Sequence, residues 1–243
     1  KNQILDTQPK LTKFLIDEYL SNFQIKKACE IFSKNLKPIN DDYLLKMNIY
    51  CLIKDGKNEE AQLIYDLKKE MGFRNEYFEN KINYLFNYTN QTDKTISENT
   101  IFDFHLAHQT DPNFSFEPSE NTKKIIWKYL SSANLLSSFK EVEVSELDRI
   151  LLIEKAVNNK NYPEKELFQI YKRFQFNINQ LLNVEEFFKS LPNIEGRALI
   201  YQKILLESEP VEKLKLLKIL KESFKKDNLD DAFDIELKKF LED

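Results

Sequence analysis

Glycine is nearly missing from this chain: its 243 residues hold 3 glycines, with 7 prolines, 2 cysteines, 2 histidines and a single tryptophan. So little glycine argues against a dinucleotide-binding α/β domain and against a phosphate-cradling P-loop, both of which need backbone that approaches a ligand closely. It argues equally against a turn-rich all-β sandwich and a collagen-like chain. Two cysteines, Cys29 and Cys51, are too few for a disulfide framework. Both fall in helical patterns and read as buried thiols; a bond between them would require Cα atoms within about 7 Å. No apolar run reaches roughly 18 residues, so no membrane insertion is expected. No signal peptide is recognisable, and a chain that begins at Lys1 reads as a fragment or a processed form. A basic excess is also missing, with 36 Lys and Arg against 40 Asp and Glu. Arginine is confined to Arg74, Arg149, Arg173 and Arg197. Phosphate neutralisation dominates nucleic-acid binding, so no nucleic-acid partner is expected.

What is present is apolar spacing of three and four. It runs from Leu11 to Phe23, from Ile25 to Leu36 with a break at Pro38, from Tyr43 to Leu52, through Ala61 to Leu67, and from Phe73 to Phe86. Polar stretches at 87–98 and 110–118 flank one helix expected at 98–109. Further helices are expected over 119–134 with Ser119 as N-cap, from Ser145, from Pro163 in a first turn, over 179–191, 194–206 and 211–224, and in a terminal segment capped by Asp227 or Asn228. The expectation is an all-α fold: an α-solenoid or irregular stack of antiparallel helical hairpins with about thirteen helices. One domain over 1–243 is expected, with an N-terminal part at 1–88 and an irregular part at 98–243.

An internal repeat runs through the first part. Lys27-Ala28-Cys29-Glu30-Ile31-Phe32 aligns with Glu60-Ala61-Gln62-Leu63-Ile64-Tyr65 at an offset of 33 residues. A small residue lets two helices approach, and an aromatic four residues on fills the joint with the next pair. This predicts Ala28 and Ala61 at tight crossings. The segment Gly56 to Tyr65, with Leu45 and Leu52 before it, resembles the G-x-x-x-E-A-x-x-x-Y core of the tetratricopeptide family. Phe23 stands where Gly56 does, and Lys68 where the family has a small residue. The resemblance covers roughly residues 9–75 and implies a helical-repeat scaffold that binds a protein or peptide. Gly196 to Gln202, followed by the Pro210 break, resembles an uncharacterised class of helical bacterial proteins, which carries no known activity and adds no chemistry; the expectation is a soluble bacterial protein, with cytoplasm or periplasm left open.

His105 and His108 are one helical turn apart and could share a metal, but Asp103 is off their common face and no second ligand-bearing helix accompanies them, so no metal is assigned. Glu207-Ser208 is the pair found in lytic transglycosylases, but Pro210 follows at once and Gly196 is the last glycine. Carboxylates elsewhere alternate with lysines as on a solvated helix face. No nucleophile elbow, Walker loop, HExxH or CxxC occurs. The reading is of a non-enzymatic scaffold without cofactor. Its candidate partner contacts are Phe114 and Phe116 in the proline-bracketed loop and Lys46 and Asn48 on a groove helix. An accessory helical domain of a larger bacterial cell-envelope enzyme is the alternative.

Overall fold

The computed structural model describes residues 9–32 and 39–242. Among them there are fifteen α-helices and no strand. The second helix, expected to run to Leu36, is described as far as Glu30, with Ile31 and Phe32 in a turn; residues 33–38 lie outside the described residues.

Two compact units form, one from residues up to 117 together with 123–133, the other from 118–122 together with 134 onward. The first holds α1 (Pro9–Ser21), α2 (Ile25–Glu30), α3 (Asp42–Lys54), α4 (Asn58–Glu70), α5 (Glu76–Leu85), α6 (Ile101–Thr110) and α7 (Lys124–Ser132). Successive helices α1–α2 and α3–α4 pack as pairs, as do α5–α6, and α1 also packs on α6 and α7. Ala28 and Ala61 are fully buried, which lets the second helix of each pair sit close to its neighbours. Helix α6 has no solvent face along most of its length: Ile101 to Ala107 are all buried. The polar stretch before it is pinned by a buried lysine, Lys81, which donates to the Asp93 carbonyl.

The second unit holds α8 (Ser137–Lys140), α9 (Leu147–Asn158), α10 (Glu164–Tyr171), α11 (Ile178–Leu182), α12 (Val184–Phe187), α13 (Asn193–Leu206), α14 (Pro210–Lys226), a 3-10 turn at Asp230–Phe233, and α15 (Ile235–Glu242). The α13–α14 hairpin is its largest pairing, and α9, α10, α11 and α12 also pack on α13. Gly196 makes one of these approaches feasible: a Cβ there would sit 2.9 Å from the Phe188 carbonyl oxygen.

Several expectations are corrected. Cys29 and Cys51 are a disulfide, not two thiols, because the α2–α3 packing brings their Cα atoms to 5.3 Å. Ser119 caps no helix. Its N–H donates to Thr122 Oγ1 in a turn, and α7 starts only at Lys124. The single helix expected over 179–191 breaks at Asn183 into α11 and α12, and α8 is additional, which takes thirteen to fifteen. Asp227 and Asn228 end α14 rather than cap the terminal helix. That helix instead receives Glu164, whose carboxylate accepts from the N–H groups of Ile235 and Glu236. Among the described residues no helix is long and apolar enough to cross a membrane.

Candidate functional site

The two histidines expected on one helix turn lie in a hydrogen-bonded chain within the first unit. Tyr50 of α3 and Tyr129 of α7 flank fully buried His105. Tyr50 Oη is 2.7 Å from Nε2 and Tyr129 Oη is 2.8 Å from Nδ1. Tyr129 Oη is also 2.7 Å from Nδ1 of half-buried His108. The chain has one direction in which no hydroxyl hydrogen is orphaned. Tyr50 donates to His105 Nε2, His105 Nδ1–H donates to Tyr129, and Tyr129 donates to His108 Nδ1. Reversal would leave the Tyr50 hydrogen buried without an acceptor, at a cost of about 1–3 kcal/mol. His105 is therefore neutral. Burial, then His108 and Lys54, hold its pKa down to about 3. Burial also lowers that of His108. Phe23 covers this cluster, its ring 5.8 Å from His108 and 5.6 Å from Tyr129, while its backbone takes φ 55°.

Next to this chain on α6, Asp103 binds Lys46. The ammonium is 2.8 Å from Asp103 Oδ1, with both side chains 8% exposed. Thr100 donates to the other carboxylate oxygen and accepts from the Asp103 N–H, which caps α6. Tyr77 donates to the Asp103 carbonyl. Lys46 is thus directed inward, while Asn48, two residues on, is half-buried on another side of α3. Phe114 and Phe116 are half-buried. Both meet the Phe104 ring edge to face, at 5.5 and 4.9 Å, and Phe114 also lies 5.1 Å from His108. So α6 gathers His105, His108, Asp103, Lys46, Phe114 and Phe116; Asn48 is not gathered with them. Among the described residues no cluster of three or more His, Cys, Asp or Glu could hold a metal.

The second unit is built on a buried ion pair that the sequence reading missed. Glu154 of α9 and Arg197 of α13 are fully buried, joined at 3.0 Å through Nε and 2.5 Å through Nη2. Tyr171 donates to the same carboxylate, and Asp227 holds Nη1 at 2.6 Å. Burial pushes the Glu154 carboxyl up, and Arg197 and Tyr171 pull it back. The available signal was position: Glu154 follows Ile150 by four and precedes Val157 by three, and Arg197 sits within an apolar run. Both charges lie on faces that the helical period buries.

Two surface clefts lie in this unit. One, of about 440 Å³, runs past Phe188, Gly196 and Ile219. The other, of about 350 Å³, lies between α12 and the α13–α14 turn, with Leu182, Val184 and Leu216 among glutamates 185, 186, 207 and 212. Glu207 does not face a closed cleft as a general acid. It receives the N–H groups of Ser208 and Glu209 and pairs with Lys203, and its pKa falls below the usual carboxylate range through these bonds. No protein-family model matches the chain, and no curated protein or solved structure matches it.

Proposed function

We infer that the chain is a non-enzymatic protein- or peptide-binding scaffold of tetratricopeptide-like helical hairpins. The observation that carries this is the equivalence of the first two hairpins at the 33-residue offset. Ala28 and Ala61 are both fully buried. Phe23 and Gly56 both take positive φ, at 55° and 76°. Each closes its helix with the same two bonds, Phe23 N–H to Leu20 and Gln24 N–H to Tyr19 in one, Gly56 N–H to Ile53 and Lys57 N–H to Leu52 in the other; other helix ends close in this way too, and it is the shared offset with the buried alanines that pairs these two. Such hairpins stack through their neighbours and leave helix faces free for a partner. On α4, Leu63 and Leu67 are 60% and 51% exposed one turn apart. Supporting chemistry also comes from the polar groups. The histidines are tied to tyrosines, Lys46 to Asp103, and both sulfurs to each other, so these groups tie the helices of this unit together. Affinity capture followed by titration calorimetry with the purified partner tests the reading. A specific, saturable partner supports it; turnover of a small substrate with no such partner overturns it.

The Cys29–Cys51 bond favours the alternative of an accessory domain of a cell-envelope enzyme, because disulfides persist in oxidising compartments. The full open reading frame tests this: a catalytic domain or an export signal next to these residues supports it.

A further inference from the structure

We propose that the surface of the second unit formed by α11, α12 and the α13–α14 turn docks a lysine-rich amphipathic helix of a partner protein. The proposal rests on the interaction-scaffold reading and names a site and a partner chemistry for it.

Helix α11 is held against α13 yet buries none of its residues. Ile178 and Leu182, one turn apart, are 75% and 70% exposed. Leu206 and Val211, on the two sides of the α13–α14 turn, are each 68% exposed. Leu182 also lines the 350 Å³ cleft, so the apolar surface leads into a depression rather than lying on a convex helix. Leu182 at the depression, with Ile178, Leu206 and Val211 exposed on the elements that adjoin its lining residues, marks a site for apolar anchors. An amphipathic helix offers such anchors at i, i+3, i+4 and i+7.

Charge selects the occupant. Glu185, Glu186, Glu207 and Glu212 line the cleft and Glu209 lies in the turn. Against these stand Lys203, bonded to Glu207 at 2.9 Å, and Lys215, bonded to Glu185 and 3.7 Å from Glu212. The surplus is negative, and Glu186 has no ion pair among the described residues. A face flanked by lysines complements it, and anionic lipid is repelled. A second copy is disfavoured too. A two-fold contact sets the same patch against itself and would oppose one set of glutamates to another.

The probe is a 14-residue peptide with leucines at i, i+3, i+4 and i+7 and lysines elsewhere; its control carries glutamate for every lysine. Calorimetry measures binding to the full chain, and backbone amide shifts locate it. The expected result is saturable one-to-one binding of the lysine peptide alone, with shifts confined to α11–α14. The exposed pair I178S/L182S and the double variant E186Q/E212Q should each weaken it by roughly tenfold or more while thermal melting stays unchanged. The proposal is overturned by no saturable binding, by equal binding of the glutamate peptide, or by binding that ignores the serine pair. It is also overturned by concentration-dependent dimerisation lost in that pair. Shifts confined to α1–α7 would overturn this site while leaving the scaffold reading intact.

Discussion

Acidification should destabilise the first unit through one residue, His105. Its folded pKa is held down to about 3 by burial, while an unfolded histidine titrates near 6.5. Between those values the unfolded chain binds a proton that the folded chain refuses, so stability falls as pH drops below about 6.5 and the loss is complete near pH 3. The slope is about 1.4 kcal/mol per pH unit, and from pH 7 to pH 5 the loss from this residue is about 2 kcal/mol. Carboxylates and His108 also respond to acid, so the measurement is a difference. Urea unfolding at pH 7, 6 and 5 is compared between the wild type and His105→Gln. Glutamine keeps one donor and one acceptor between Tyr50 and Tyr129 and never charges. The variant will be less stable at pH 7, because its amide cannot reproduce the imidazole geometry. Its stability should nevertheless decline less with acid, and the two curves should converge by about 2 kcal/mol at pH 5. Parallel curves would refute the reasoning: they would mean that His105 takes up a proton in the folded state at ordinary pH and that the Tyr50–His105–Tyr129 chain is not closed.

Three further outcomes are expected. Ala28→Leu or Ala61→Leu should overpack the hairpin joints and cost about 1–3 kcal/mol in denaturant unfolding, whereas the same change at an exposed position such as Lys57 should cost far less. Cys29→Ser with Cys51→Ser, or reduction by a dithiol, should remove a cross-link closing a 22-residue separation and lower stability by about 3 kcal/mol, with melting compared in oxidised and reduced samples. Arg197→Met should cost about 3–5 kcal/mol by leaving Glu154 buried without its partner, and adding Glu154→Leu should recover most of that, as a double-mutant cycle would show.

Helical period was enough to place most helices, because α4, α9 and α14 each bury a single stripe that reads directly from the apolar spacing. It could not place breaks made by backbone chemistry alone. Asn183 separates α11 from α12 without proline or glycine, and α8 is a single turn too short to show a period. The site was less legible than the fold for a different reason. Lys46 and Asp103 are 57 residues apart, Tyr50 and His105 are 55 apart, and Glu154 and Arg197 are 43 apart. Each residue looks like an ordinary polar member of its own helix until the partner is known. Spacing within one helix offered a metal pair at His105 and His108; the hydroxyls that bind them instead come from two other helices. The cysteine pair shows the same limit, since only the packing of α2 on α3 decides whether two helical thiols meet.

The scarcity of glycine has a structural answer in the helix ends. Six of them close alike, with one residue at positive φ whose N–H reaches back three residues and whose successor reaches back five: Phe23, Gly56, Gly72, Asn87, Lys160 and Asn228. Glycine takes this conformation freely, and asparagine tolerates it through its short polar side chain. Phenylalanine at φ 55° carries a backbone cost of about 1–2 kcal/mol. The ring compensates by packing on His105, His108 and Tyr129, contacts a glycine there could not make. The closures at Phe23 and Gly56 are thus alike in backbone and not in residue identity. A glycine-keyed pattern finds the second hairpin and passes over the first, although both turn the chain by the same two hydrogen bonds. The residue that breaks the pattern is also the one that shields the neutral histidines, so its departure from glycine and its place over the polar chain have a common cause.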